Sequence, residues 1–235
     1  MVYEYANYLT KHNFKVTVVH CLSLRHIKYP KNIIKFLKRI IGKIFVYCRR
    51  KKIDWIDINK NIKMIYLNEP NERKIPNADY IVASAWQTAD YINEYSTTKG
   101  KKYYIIMDFP PYMGSSIDIH RTWNYNFKMI SISSWIYDLV KNVNNNNNLI
   151  NIPIGVSENI FKNQKEIVND SNLVLAMFSS GKYKGSKDLI KSFEIAKKKN
   201  IKLNFNLFGK ENKPKNLPSW IHYHKRLSKI DLVNL

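Results

Sequence analysis

Apolar positions follow two patterns in the first half of the chain: short continuous runs and longer stretches with helical spacing. The run Lys15–His20 is β-branched and continuous, as in a strand buried in a parallel sheet. Before it, the sequence predicts a helix over Val2–Lys11, with its apolar residues on one face: Val2, Tyr5, Ala6 and Leu9. An α/β domain ordinarily begins with a strand and a glycine-rich turn, so a start on a helix is unusual.

Further strands and helices alternate downstream. Four more apolar runs predict strands: Ile62–Leu67, Asp79–Ala85, Lys102–Met107 and Phe127–Ile132. Helices are predicted over Trp86–Ser96 and from a cap at Ser133 or Ser134 to Lys141. The pattern restarts with a strand at Leu173–Phe178 and continues with helix Ser186–Lys198, strands Lys202–Phe208 and Ile221–His224, and a helix beginning at Ser228.

Repeated β–α–β units predict an α/β fold with parallel, doubly wound sheets. The restart divides the chain into a first domain (1–152), a polar linker (153–172) and a second, incomplete domain (173–235).

Charge adds a constraint on partners. The chain has 39 Lys and Arg against 18 Asp and Glu, a net charge of +21. This favours an anionic partner, although scattered lysines on a solvated surface explain the balance equally well.

Cys21 and Cys48 predict no disulfide framework and are interpreted as reduced and buried. Met1–Thr10 has no signal-peptide pattern, and no long apolar run is present, so we expect a cytoplasmic protein.

One basic segment suggests a membrane surface. Over Lys31–Arg50, isoleucines at helical spacing alternate with lysines and arginine, as in an interfacial helix that binds anionic lipid at the inner face of the membrane. A core helix with a solvated basic face is the alternative.

The stretch MFSSGKYKGSKDLIKSF, Met177–Phe193, predicts a strand, a glycine-containing loop and a helix. Loop N–H groups and a helix N-terminus together favour an anion such as phosphate. The spacing of Gly181 and Gly185 does not match the G-x-x-x-x-G-K-[ST] motif of nucleotide-binding P-loops. A solvated turn therefore remains the alternative.

Short sequence motifs are spread over nearly the whole chain, and their order is informative. The first half contains YANYLTKHNFKVTVVH, PNADYIVASAWQTADYI and KMISISSWIYDLV. The second half contains these elements: Ile152–Val156, Phe161, Ser179–Ser180, Lys184–Gly185, Asp188–Phe193 and Leu203–Gly209. This order resembles retaining GT-B glycosyltransferases of the group 1, or family four, type, with Asn13 where the family usually has glycine.

The resemblance implies two Rossmann-like domains, the first for a glycan or lipid-linked acceptor and the second for a nucleotide-sugar donor. It implies that Lys184 contacts the donor diphosphate and that no metal or other cofactor is needed. The other implied donor residues are Gly155, Ser179, Ser180, Lys182, Gly185, Ser186 and Gly209. Where the family usually has an arginine that supplies a second positive charge, this chain has Ser179–Gly181, with Lys182 nearby.

On the acceptor side, Asp108 ends a predicted strand and could orient hydroxyl groups, or cap the following turn. Trp86 could line the acceptor cleft or pack in the core. His222 and His224 are two residues apart, but a third ligand for a metal is not evident in the sequence.

By the resemblance, the family's first strand would precede Met1 and its paired-glutamate element would follow Leu235. We therefore expect residues 1–235 by themselves not to transfer sugar. The expected function is retaining glycosyl transfer in surface polysaccharide synthesis, with no nucleic acid as partner. The alternatives are a basic nucleic-acid-binding protein and a non-catalytic remnant that binds membrane surfaces.

Overall fold

A computed structural model provides the structure of the chain. It describes residues 1–24, 56–109, 115–144, 148–156, 172–181, 184–199 and 201–235, together with isolated residues at 33, 34, 37, 40, 41, 44, 53 and 161. The chain forms two compact units, Met1–Ile154 and Gly155–Leu235.

Unit 1 begins with helix α1 and a pair of parallel strands. Helix α1 spans Val2–Lys11, and the strands are β1, Thr17–Cys21, and β2, Lys63–Leu67. Between α1 and β1 the chain turns at Asn13, whose φ of 66° lies in the left-handed region. Asparagine tolerates this conformation better than most residues, which explains how it can stand in a position that favours glycine.

A four-stranded parallel sheet forms the larger part of unit 1. Its strands lie in chain order: β3, Tyr80–Ala83; β4, Lys101–Ile106; β5, Lys128–Ser131; and β6, Leu149–Asn151. The connecting helices are α2, Trp86–Glu94; α3, Ser116–Trp123; and α4, Ser134–Lys141.

Two short 3-10 turns precede strands β3 and β4. They lie at Glu72–Lys74 and Thr97–Lys99, and the second one ends at Gly100 with φ 97°. A Cβ on Gly100 would lie 2.5 Å from the carbonyl oxygen of Ala78, so the position requires glycine.

The core of unit 1 lies between this sheet and its helices. Its most enclosed side chains have 2% exposure or less and are mostly large: Tyr91, Ile106, Ile119, Trp123, Phe127, Met129, Ile136 and Val140. Along β4 and β5, buried residues alternate with half-buried ones, so one face of each strand is turned toward this core and the other is only partly covered.

A charged side-chain network links α2 to α3. Arg121 Nη2 donates to both carboxylate oxygens of Asp90 at 3.0 Å, and the Tyr125 hydroxyl donates to the same carboxylate. Asp90 is buried, whereas the Arg121 side chain is 49% exposed. The two interactions supply hydrogen bonds that a buried carboxylate needs.

Unit 2 is a three-stranded parallel sheet with two described helices. The strand order is β7, Leu173–Met177; β8, Asn204–Gly209; and β9, Ile221–Lys225. Helix α5, Ser186–Lys198, follows β7, and α6, Lys229–Asn234, follows β9. Its core consists of Phe193, Phe205, Leu207, Leu217 and Ile221.

The prediction of an α/β fold with parallel strands is confirmed. Three details differ. Helix α3 and strand β6 were not predicted, and the predicted apolar face of α1 is largely uncovered, because among its four residues only Ala6 is buried.

Candidate functional site

The loop between β7 and α5 is held against the start of the helix. Ser179 N–H donates to the Ser186 hydroxyl at 2.9 Å, and Gly181 N–H lies 3.4 Å from the Ser179 hydroxyl. Ser186 is buried and is the first residue of α5. The Ser186 hydroxyl therefore fixes the loop, and its N–H group belongs to the first turn of the helix, where N–H groups lack intrahelical acceptors.

Gly185 makes the turn into α5. Its φ of 69° is left-handed, and a Cβ there would meet no atom within 4 Å. The position therefore favours glycine for its backbone conformation rather than for lack of space. Lys184, immediately before it, is exposed, and its N–H donates to the Gly181 carbonyl at 2.9 Å. This places the Lys184 backbone one residue from the positive end of the helix dipole.

The acidic side chain of Glu211, which follows strand β8, binds to the backbone of this loop. Ser180 N–H lies 3.1 and 3.2 Å from the two carboxylate oxygens of Glu211, which follows β8. The backbone of the loop thus already binds one anion. Sequence reasoning missed Glu211, because its contact joins loops that are 31 residues apart.

Gly209 allows the loops after β7 and β8 to approach closely. A Cβ at Gly209 would lie 2.8 Å from the Phe178 carbonyl oxygen and 2.9 Å from the Tyr223 hydroxyl. That hydroxyl donates to the Glu211 carbonyl at 2.8 Å. Burial raises the pKa of Tyr223, and the nearby Glu211 charge adds to the shift.

The remaining predicted donor residues are not gathered at this loop by any described contact. Gly155 is exposed and is the first residue of unit 2. Lys182, predicted as a second phosphate cation, lies outside the described residues, as does most of the predicted linker.

In unit 1, two predicted acceptor residues follow neighbouring parallel strands. Trp86 comes three residues after β3, and Asp108 comes two residues after β4. Asp108 is exposed, whereas Trp86 is 3% exposed and belongs to the hydrophobic core. Asp108 is therefore accessible to a ligand at the carboxyl edge of the sheet, where α/β proteins bind their ligands. Trp86 contributes packing beneath that edge.

A cavity that the sequence analysis did not anticipate lies at the carboxyl end of β2. It has a volume of about 350 Å³ and a mostly polar lining: Leu67, Asn68, Glu69, Pro70, Asn71, Lys74 and Tyr91. The Tyr91 hydroxyl donates to the Glu69 carboxylate, which fixes that side chain at the wall. Glu69 lies just after a predicted strand, as Asp108 does. That position is the sequence signal that could have identified Glu69 as a candidate site residue.

The structure also shows where the two histidines considered as metal ligands lie. His224 Nε2 lies 2.8 Å from Asn206 Oδ1, and His222 is exposed. Among the described residues, no group of three metal-ligating side chains converges.

The segment Lys31–Arg50 lies for the most part outside the described residues, and its binding to a membrane surface stays a prediction. In the part of the chain that the structure describes, no helix is long and apolar enough to cross a membrane.

No protein-family model matches the chain, and no curated protein matches it. The assignment of a function therefore depends on the site and on the motif order.

Proposed function

We propose that this chain is a glycosyltransferase, or part of one, that transfers a sugar from a nucleotide-sugar to a glycan or lipid-linked acceptor with retention of configuration. The observation on which the proposal depends is the loop between β7 and α5: its Ser180 N–H binds the Glu211 carboxylate, and the loop leads through Lys184 and Gly185 into the N-terminus of α5.

The loop supplies the groups that a diphosphate leaving group requires. Sugar transfer from a nucleotide-sugar breaks the bond between the anomeric carbon and a phosphate oxygen, so negative charge accumulates on the diphosphate. In this proposal, N–H donors at the start of α5 and the Lys184 ammonium offset that charge as it develops. The hydrogen bond from Ser179 N–H to the Ser186 hydroxyl holds the loop in place, so the loop needs little rearrangement during the reaction.

The acceptor half of the proposal is supported by unit 1. A polar cavity beside Glu69 suits a ligand rich in hydroxyl groups, because carboxylate, amide and ammonium groups line it together. Asp108 is a second exposed carboxylate and follows β4 of the four-stranded sheet. Either carboxylate can accept hydrogen bonds from sugar hydroxyls.

Calorimetric titration with UDP, GDP and ADP tests the proposal on the chain as it is. We expect at least one nucleoside diphosphate to bind and Lys184→Ala to weaken it by roughly 1.5–3 kcal/mol, about 10- to 150-fold in Kd, the range for a charge-assisted hydrogen bond. Lys191→Ala, which removes an exposed lysine further along α5, is the matched control and should leave Kd unchanged.

A parallel titration with a single-stranded oligonucleotide separates the nucleic-acid alternative. Salt-dependent oligonucleotide binding that is insensitive to Lys184→Ala, combined with no nucleoside diphosphate binding, would refute the glycosyltransferase proposal. Equal losses in the Lys184 and Lys191 variants would show that only overall charge matters.

A further inference from the structure

The carboxylate of Glu211 occupies a backbone donor that the loop between β7 and α5 would otherwise present to a ligand. Ser180 N–H lies 3.1 and 3.2 Å from its two oxygens, within hydrogen-bond distance of both. Glu211 is exposed and follows β8, 31 residues further along the chain than Ser180. The contact therefore joins two loops at the carboxyl edge of the sheet of unit 2, the edge at which α/β proteins bind their ligands.

The loop is held in place without Glu211. Ser179 N–H donates to the hydroxyl of Ser186 at 2.9 Å, and Ser186 is a buried residue at the start of α5. Ser180 directly follows Ser179 in the chain. Its N–H therefore keeps its position when the Glu211 side chain turns away, and it can then donate to another anion.

The main chain around Glu211 is fixed by β9 and by the residue that follows it. The Tyr223 hydroxyl donates to the Glu211 carbonyl at 2.8 Å. Arg226 N–H donates to the Gly209 carbonyl at 2.8 Å, and Arg226 Nε lies 3.3 Å from the Lys210 carbonyl oxygen. Release of the loop therefore requires rotation of the Glu211 side chain alone, and rotation of an exposed side chain is fast.

We infer that Glu211 is an internal competitor of the diphosphate: its carboxylate occupies Ser180 N–H in the ligand-free protein and leaves when the diphosphate binds there. The inference rests on the proposed function, because it takes the ligand of the loop to be a diphosphate. Carboxylate and phosphate oxygens are both anionic acceptors, and they compete for the single proton of this N–H group. Their like charges also repel each other, so a bound diphosphate disfavours Glu211 in its present position.

The competition lowers the affinity of the loop by an amount that follows from the strength of the contact. An exposed charged contact of this kind is favoured over its open form by about two- to fivefold. The apparent Kd of a ligand is its intrinsic Kd divided by the fraction of molecules that are competent to bind, so Glu211 weakens it by about three- to sixfold. Because product release limits the turnover of many enzymes, a side chain that displaces the diphosphate product favours turnover.

Calorimetric titration of the full chain with inorganic pyrophosphate tests the inference, because this probe has the diphosphate without a nucleoside. Glu211→Ala should tighten the Kd of pyrophosphate by about three- to sixfold. Glu211→Gln, which removes the charge and keeps the length of the side chain, should tighten it as well. Glu194→Ala is the matched control, since it removes an exposed carboxylate about two turns further along α5 and should leave the Kd unchanged.

The amide resonance of Ser180, followed by NMR, reports the exchange of acceptors directly. The resonance should differ between the ligand-free chain and ligand-free Glu211→Ala, and saturating pyrophosphate should bring both to the same position. If the resonance of the unchanged chain stays at its ligand-free position at saturation, Glu211 is not displaced and the inference is wrong.

Four calorimetric results would also overturn the inference: no pyrophosphate binding, an unchanged Kd in Glu211→Ala, a weaker Kd in that variant, or equal tightening by Glu194→Ala. Failure of the proposed function is distinguishable from these. If pyrophosphate responds to Glu211→Ala as expected but UDP, GDP and ADP bind no more tightly than pyrophosphate, the competition is established and the glycosyltransferase proposal fails. If a nucleoside diphosphate binds with the same Kd in Glu211→Ala, only the inference fails.

Discussion

The contact between Arg121 and Asp90 is expected to contribute measurably to the stability of unit 1, and Arg121→Ala removes it. The Asp90 side chain is 9% exposed, so the variant leaves a carboxylate that has lost two 3.0 Å contacts in a site with little water. The Tyr125 hydroxyl remains as a donor, which limits the loss.

The magnitude follows from these exposures. Breaking a fully buried ion pair costs about 3–5 kcal/mol, and a hydrogen bond to a charged group contributes about 1.5–3 kcal/mol. Because Arg121 is 49% exposed, solvent screens its charge, and the lower range applies. We therefore expect a loss of about 2 kcal/mol, or about 4–8 °C in Tm for a unit of this size.

Thermal and urea unfolding, followed by circular dichroism, measure this loss. Arg73→Ala is the matched control, because Arg73 is exposed and lies on the short turn Glu72–Lys74. Asp90→Asn and the double variant complete a cycle, in which the coupling between Arg121 and Asp90 should exceed about 1 kcal/mol. A Tm for Arg121→Ala equal to that of Arg73→Ala, or additive effects in the cycle, would refute the reasoning.

Three further predictions concern backbone conformation and titration. Gly100→Ala should lower the free energy of unfolding far more than Gly185→Ala, as measured by the urea midpoints of the two variants. Three backbone atoms lie 2.5–2.6 Å from a Cβ at Gly100, whereas a Cβ at Gly185 meets no atom within 4 Å. In a Cys48→Ser background, Cys21 should react slowly with iodoacetamide until the chain unfolds. Burial raises the pKa of the Cys21 thiol from 9.0 to about 11, which lowers the thiolate fraction about 100-fold at neutral pH. Burial also raises the pKa of Tyr104 above its ordinary 10.0. The unfolded chain loses that proton first, so the free energy of unfolding should be constant just below about pH 10 and fall above it; urea midpoints that did not fall would contradict this.

Much of the secondary structure was readable from periodicity. Helices α1 and α5 have the predicted bounds, because each is a regular amphipathic segment with clear ends. The predicted strands lie within two residues of those observed, since continuous β-branched and aromatic runs bounded by polar residues have few alternatives.

The missed elements are those in which local signals are weak. Helix α3 has eight residues and follows a stretch with two prolines, and β6 has three residues after a run of asparagines. His120 on α3 is half-buried beside Phe109 and Trp123. Its environment depends on the neighbouring segment rather than on its own helical pattern.

The candidate site was only partly readable. Glycine, lysine and helix position alone predict an anion site in the loop between β7 and α5, and ligand binding there stays a prediction. The contact of Ser180 with Glu211 could not, because it depends on how β7 and β8 lie side by side. The cavity beside Glu69 likewise requires Tyr91 from α2, whose place next to β2 no local pattern encodes.

The chain order of strands β3 to β6 also bears on the sequence of events in folding. Tyr80 pairs with Lys101 only 21 positions along the chain, whereas Thr17 pairs with Lys63 across 46 positions. Closing the longer loop costs about 0.7 kcal/mol more in chain entropy. That difference alone is small, but the four-stranded sheet also has the larger core against which its helices can condense. We therefore expect residues 80–151 to fold first and to provide the surface on which the N-terminal strand pair is assembled.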